Sequence, residues 1–318
     1  SAPATETLVL KDRKDWHYIG KAVRSLDDLG MVTGRNVFGQ DVQLDGMKYA
    51  VIARPPVVLG KAKRFNAAKA LAVPGVLKVI ELPVAQRPVQ FFPLGGIAVI
   101  ATNTWAAIKG REALEVEWDD GENGNYDSKA FRTAMEAAVK KPGSIVREEG
   151  DVDTAFAQAS KRIVADYYTP HLAHATMEPP AATAVPRGKG FEIWACSQDP
   201  QAVQNSVGNF LKVDPTDVIA HVTFLGGGFG RKSKADFSVE AAWIARALDG
   251  PVKVIWTRED EIQHGYYHAA SAQHFEASLD HQGAVTGVLA RSTFPSILSI
   301  FAPEAETPAS FELDLGFK

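Results

Sequence analysis

Residues 218–232 read VIAHVTFLGGGFGRK: a β-type run that stops at Gly226, Gly227 and Gly228, followed by Phe229, Gly230 and the cations Arg231 and Lys232. Without a Cβ the backbone of such a run can take φ > 0 and turn successive N–H groups towards one point, which suits an anion or an oxo ligand. Arg231 and Lys232 offer charge-assisted contacts to the same ligand. Two better-known phosphate loops fail here at a single position. A Walker loop needs a glycine directly before its lysine, and a dinucleotide fingerprint needs one at the end of Gly-x-Gly-x-x-Gly; Arg231 stands in both places. A glycine turn that only lets a helix approach a strand would explain one glycine better than four in five positions.

Other reactive side chains form weaker patterns. His171, His174 and Glu178 could be drawn as a metal cluster, and His264 and His268 stand four apart, but Leu172 and Gly265 occupy the place where a His-Glu-x-x-His site needs its glutamate. No metal ligation by protein side chains is therefore expected, and His174 and Glu178 are read as holding backbone near a cofactor cleft or as surface residues. Cys196 lies in an apolar run and reads as a small buried hydrophobe. No Gly-x-Ser-x-Gly elbow is present. Trp194, Trp243 and Trp256 fall inside predicted strands or helices, where core packing is the simpler role.

The elements that must position the glycine run follow from periodicity. After it, Phe237, Ala241, Ile244, Ala245 and Leu248 recur at helical spacing and Gly250-Pro251 stops the helix. Before it, Phe191–Cys196 reads as a strand and Pro200–Leu211 as a helix; Ile163–Tyr168 and Val252–Trp256 are further strands. Thr257 and Asp260 make a capping-box pattern, and Phe275–Leu279 with Val285–Phe294 reads as a hairpin. Upstream, Tyr49–Ala53, Leu77–Leu82, Ile97–Ala101 and the alternating Ala113–Trp118 read as strands around a helix at Asn66–Leu71. The acidic, glycine-bearing run Asp119–Asn125 is the clearest break, followed by a helix from Ser128, its expected N-cap, to about Lys140. This divides the chain into a lead-in (1–20), a compact α+β domain (21–120), a linker and crossover helix (121–142) and a second α/β unit (143–318) with parallel or mixed strands.

With these segments in place, the chain resembles the xanthine oxidase family of molybdenum hydroxylases. FLGGGFGRK resembles its molybdenum-cofactor loop, in the arginine form of the bacterial branch that includes isoquinoline 1-oxidoreductase and related aldehyde dehydrogenases. WACSQDPQAVQ (194–204) resembles the segment that places a glutamine beside the metal, HATMEPPAATA (174–184) the Met-Glu-Pro stretch, and RPPVVLGKAKRFNAAKALAVPGVLKVI (54–80) the hammerhead domain. The resemblance runs in consistent order from about residue 14 to about residue 300. It implies an α+β architecture, an α/β-hammerhead domain followed by an incomplete mixed α/β molybdenum-cofactor-binding domain. It further implies that Gln198, Gly226, Gly227, Gly228, Phe229, Gly230 and Arg231 bind the cofactor: backbone N–H around Phe229 and Gly230 facing the metal's oxygen ligands, Gln198 on the apical ligand, and Arg231 on the pterin nucleotide's pyrophosphate. The cofactor would be molybdenum-molybdopterin, in the cytosine dinucleotide form. A substrate, an N-heterocycle or an aldehyde, would be oxidised with water-derived oxygen, and electrons would leave through [2Fe-2S] clusters on a partner. The family's general base lies in a Gly-Glu-Pro context that these residues lack, so no catalytic residue is expected within the chain, and Glu178-Pro179 belongs to a different stretch. The expected partners are the remainder of the large subunit, a small iron–sulfur subunit and a cytochrome c subunit.

Composition bounds the alternatives. At 318 residues and 46% hydrophobic content the chain can build two ordinary cores. A formal net charge of −4 gives no electrostatic reason for nucleic acid or an anionic membrane as partner. One cysteine excludes an internal disulfide framework or a cysteine-ligated cluster. No stretch reaches the ~20 apolar residues of a membrane span, and Ser1–Ala4 lacks the regions of a signal peptide. By analogy with related large subunits the expected home is the periplasm, otherwise the cytoplasm. Two other functions compete: a binding or assembly module that keeps the cofactor fold without the base, and a nucleotide-binding enzyme with a degenerate P-loop at 226–232.

Overall fold

The computed structural model describes residues 8–305 and 307–313; the Ser1–Ala4 stretch lies outside them. Residues 8–37 form one unit with a short helix, α1 (Asp28–Val32), and residues from Phe38 onward form the other. The larger unit begins with β1 (Lys48–Ala53), β2 (Lys61–Asn66), α2 (Ala68–Leu71), β3 (Val76–Val84), β4 (Leu94–Ala101), α3 (Thr104–Ala113) and β5 (Glu115–Asp119). Helices α4 (Ser128–Ala138) and α5 (Val152–Ala157) lead to β6 (Lys161–Thr169), β7 (Ala181–Arg187) and β8 (Gly190–Ala195). Then come α6 (Pro200–Leu211), β9 (Val218–Val222), α7 (Asp236–Leu248), β10 (Val252–Ile255), α8 (Arg258–His264), β11 (Ser271–Leu279) and β12 (Val285–Thr293).

Seven strands make one mixed sheet in the order β3-β4-β1-β10-β7-β8-β9, parallel at β1/β10 and β8/β9 and antiparallel elsewhere. The sheet crosses residues 121–142, where the sequence reading divides the chain: Lys48, Tyr49 and Ala50 pair in register with Val252, Lys253 and Val254. An acidic, glycine-bearing run reports a solvated loop, whereas the unity of a sheet depends on pairings distant in sequence. Both faces are covered, which explains why β4 and β1 are almost continuously apolar rather than alternating. On one face Val51 and Ala101 pack against Ala106 and Ala107 of α3. On the other, Ile52, Ile100, Ile193 and Val254 pack with Phe237, Ala241 and Ile244 of α7. Each fully buried Ile or Phe here contributes roughly 1.5–3 kcal/mol relative to exposure.

A three-stranded antiparallel sheet, β12-β11-β6, and the pair β2/β5 complete the strands among the described residues. Aspartates begin three of the helices: Asp127, Asp151 and Asp199 accept N–H bonds from Ala130, Thr154 and Ala202. The N-cap of α4 is thus Asp127 and not Ser128, because the carboxylate reaches the third residue on while Ser128 is already helical. The Thr257–Asp260 capping box starts α8 as its sequence pattern requires.

Candidate functional site

The glycine run leaves the end of β9 beside Phe38, whose backbone bridges to Phe224. Gly227, Phe229 and Gly230 take φ of +84°, +53° and +90°. A non-glycine residue in that region costs energy and persists only when its neighbours hold it there. Phe229 is 64% exposed, so its ring does not provide that hold. Two side chains do.

Glu178 is the first. Its carboxylate accepts the N–H of Gly226 at 3.1 Å and of Gln40 at 3.1 Å, and the Lys232 ammonium at 3.0 Å. Its own backbone N–H donates to Gly226 O at 3.0 Å. Gln198 is the second: its Oε1 accepts the Gly230 N–H at 2.9 Å and its backbone N–H donates to Lys232 O at 3.0 Å. The contact at Gly230 fixes the amide's orientation, since a backbone N–H demands the oxygen, and it leaves the Nε2 amino group unclaimed. Among the described residues the N–H groups of Gly227, Gly228 and Phe229 have no protein partner. The braces need bare glycine beside them. A Cβ on Gly228 would stand 2.4 Å from Gln198 Oε1, and one on Gly226 2.7 Å from the Glu178 Cβ.

Arg231 and Lys232 are placed differently from the sequence expectation. The Arg231 side chain is 1% exposed and its two Nη donate to the Asp236 carboxylate at 2.8 Å each. Its guanidinium lies 4.9 Å from the Trp256 ring centroid, and the Arg54 guanidinium lies 3.6 Å from the same ring. Arg54 in turn forms a bidentate pair with Glu240 at 2.6 and 3.0 Å, and the Trp256 Nε1 donates to Glu240 at 2.8 Å. Arg231 is thus spent on an internal network of two guanidinium groups, an indole and two carboxylates, and its fork is closed to a pyrophosphate. Lys232, 0% exposed and paired with Glu178, cannot serve as a P-loop lysine either. Sequence reasoning missed this network. The available signal was the pair Asp236 and Glu240, four apart on a largely apolar helix, which burial obliges to find cations.

Elsewhere in the site, Thr176 donates from N and Oγ1 to Glu261 at 2.8 and 2.7 Å, and Arg258 binds Glu261 and the carbonyls of Thr176 and Met177. The His174 and His268 rings meet at 4.0 Å, one from each of the two histidine groups of the sequence reading. The Glu178 carboxylate is taken up by Gly226, Gln40 and Lys232. Burial pushes His174 down to about 4, with further repulsion from His268, Arg231 and Lys234. Cys196 is fully buried, its thiol pushed up to about 11 by burial.

The chemistry of this donor set is that of a cradle for oxygen atoms. Three backbone N–H groups without a partner and one side-chain amide lie at a strand-to-helix junction where the Glu178 carboxylate is paired with Lys232, and no group of His, Cys, Asp and Glu among the described residues could hold a metal ion directly. A cofactor that presents oxygen ligands to the protein fits such a site.

Comparison with known proteins gives the same direction. Residues 137–294 match the molybdopterin cofactor-binding domain family. The chain is 30% identical over 289 residues to the isoquinoline 1-oxidoreductase subunit beta of Brevundimonas diminuta, covering 88% of this chain and 36% of that protein. It is 30% identical over 302 residues to a membrane-bound aldehyde dehydrogenase [pyrroloquinoline-quinone] of Gluconacetobacter polyoxogenes, covering 90% and 39%. In fold it is similar to quinoline 2-oxidoreductase from Pseudomonas putida 86, with a TM-score of 0.68 at 20% identity over 86% of this chain and 39% of that one. The chain therefore spans well under half the length of these relatives.

Proposed function

The chain belongs to the xanthine oxidase family of molybdenum hydroxylases, in the stretch its large subunits devote to the molybdopterin cofactor, and from that membership we propose that it forms one wall of a molybdenum-molybdopterin site in an oxidoreductase. The observation that supports the reading is the loop Gly226–Gly230: three N–H groups without a partner among the described residues, braced by Glu178 and Gln198, in the segment that resembles the family's cofactor loop. When bound, the cofactor supplies two-electron oxidation of an N-heterocycle or aldehyde with oxygen from water.

The residues of this chain bind and orient. Gly227, Gly228 and Phe229 donate main-chain N–H to oxygen atoms of the cofactor. Gln198, its oxygen fixed by Gly230, offers Nε2–H as a further donor. Gly230 itself is excluded from the donor set because Gln198 uses its N–H, and Arg231 acts by anchoring the loop through Asp236. The residue that moves the proton comes from outside this chain, in the remainder of the large subunit. The finer reading keeps a hammerhead-like segment and a cofactor-binding segment that share the seven-stranded sheet, a cytosine dinucleotide, [2Fe-2S] clusters on a small partner subunit, a cytochrome c subunit and a periplasmic home. No helix among the described residues is long and apolar enough to cross a membrane.

Elemental analysis and pterin fluorescence of the purified full-length protein test the reading. Molybdenum and a pterin nucleotide are expected together, both reduced at least several-fold in Gln198→Ala. A properly folded protein that carries neither ends it.

A further inference from the structure

The short turn Gly39–Asp41 packs beside the glycine loop and is closed by its own residues: Asp41 N–H donates to Phe38 O and the Asp41 carboxylate accepts the Phe38 N–H, each at 3.0 Å. Phe38 bridges in turn to Phe224, just before the loop, with the two rings 6.0 Å apart. Such close seating requires Gly39, where a Cβ would stand 3.0 Å from Cys196 Cβ and 3.3 Å from Ala181 O. Between these contacts Gln40 uses both of its backbone groups. Its N–H donates to Glu178 Oε1 at 3.1 Å, and its carbonyl accepts the Lys253 ammonium at 2.5 Å.

The two oxygens of Glu178 divide the work. Oε2 accepts the Gly226 N–H and Lys232, whereas Oε1 has only Gln40 as a hydrogen-bonding partner among the described residues. The hold on Gly226 therefore depends on a carboxylate whose rotation is stopped from the other side by Gln40. Lys253 is the unexpected member. It stands on β10 among Val252, Val254 and Ile255 and is 1% exposed. Burial holds its pKa below the usual lysine range, and the Asp41 charge offsets this only in part. The Tyr49 ring centroid lies 5.9 Å from the ammonium, which forms no ion pair and has Gln40 O as its one hydrogen-bond acceptor among the described residues. A buried ammonium is costly unless paired, and an apolar side chain would fill this place in the strand at lower cost. What the lysine adds is its grip on Gln40.

We infer that Lys253 and Gln40 are positioning residues of the glycine loop: Lys253 fixes the turn 39–41, the turn fixes the Glu178 carboxylate, and the carboxylate fixes Gly226. Both act through Glu178. The inference rests on the cofactor reading only for the identity of what the loop binds, since every link of the relay lies within this chain.

Amide-resolved hydrogen exchange by NMR on the full-length, cofactor-free protein tests it. Gln40→Pro removes the N–H that Glu178 accepts, at a position inside a helical turn that suits the fixed φ of proline. This variant and Lys253→Met should each speed exchange at Gly226 about tenfold. Gly230, held by Gln198, and the amides of α7 should keep their wild-type rates. Gln40→Ala retains the backbone groups and should exchange like wild type. If the wild type carries molybdenum, Gln40→Pro and Lys253→Met should retain several-fold less of it. Gln40→Pro leaves β10 untouched, so the relay stays open to refutation even if Lys253→Met does not fold. Unchanged exchange at Gly226 in either folded variant overturns the inference. Equal acceleration of Gly226 and α7, an equal effect of Gln40→Ala, or molybdenum retention equal to wild type in both variants overturns it as well. Selective acceleration at Gly226 in a protein that never contains molybdenum would end the cofactor reading and leave the relay standing.

Discussion

Arg231 and Gly228 sit three residues apart and do opposite things. Arg231 is buried against Asp236 and Trp256, so Arg231→Met leaves an uncompensated carboxylate inside the protein. We expect a loss of about 3–5 kcal/mol in urea denaturation, only partly recovered by Arg231→Lys because an ammonium cannot reproduce the two-pronged contact. Equal stability of wild type and Arg231→Met would refute the anchoring role. Gly228→Ala should instead keep the fold and lose cofactor, because the new methyl displaces Gln198 from 2.4 Å without touching the core. Its check is molybdenum content at unchanged melting temperature. The turn at the glycines was legible in the sequence because its backbone chemistry is local, whereas Gln198 was marked only by the resemblance of residues 194–204. The fate of Arg231 was not legible, since charge beside a glycine loop looks the same whether it faces a ligand or an internal aspartate.

Among the elements, β6 and β11 are joined by a titratable clamp. His274 donates to Asp166 at 2.6 Å through Nδ1 and meets Glu276 at 3.1 Å through Nε2; Arg162 also binds Glu276. Hydrogen bonds to Asp166 and then Glu276 raise the His274 pKa, and the bond to His274 lowers both carboxylates. The histidine's contribution is therefore complete below its unfolded value near 6.5 and fades as pH rises through the higher folded value. The carboxylates' contribution is complete above their unfolded values and fades in acid. Thermal melting of His274→Asn against wild type should show the largest difference near pH 5–6 and a smaller one above pH 8; a difference independent of pH would remove the clamp. His174 and His264, both pushed down to about 4 by burial, work in the other sense and destabilise the fold as pH falls below about 6.5. At the start of α4, Asp127→Ala should cost roughly 0.5–2 kcal/mol and Ser128→Ala much less, measured by the urea midpoint. The strands and helices with clear periodicity were readable to within a few residues. Strand β7, AATAVPR, and helix α3, TWAAIKGREA, were not read as such, because the small side chains that let α7 and the sheet pack closely give no amphipathic pattern.

For the whole molecule, the seven-stranded sheet outweighs the apparent linker. A fragment of residues 38–120 would expose β1 along the whole edge that β10 covers, so we expect it to lack cooperative unfolding when expressed alone, as judged by circular dichroism melting. A cooperative transition would show that the division near residue 120 is real. The same long-range construction bears on α7. Asp236 and Glu240 place two like charges on one face of that helix, which disfavours it in isolation. The cation that answers Glu240 is Arg54, 186 residues away in the chain. In kinetic terms α7 is a late arrival: it has little reason to consolidate until β1 has found β10 and brought Arg54 to Trp256. Pulse-labelled hydrogen exchange should find the α7 amides protected in the slowest refolding phase, together with those of β1, and protection of α7 before β1 would contradict that order.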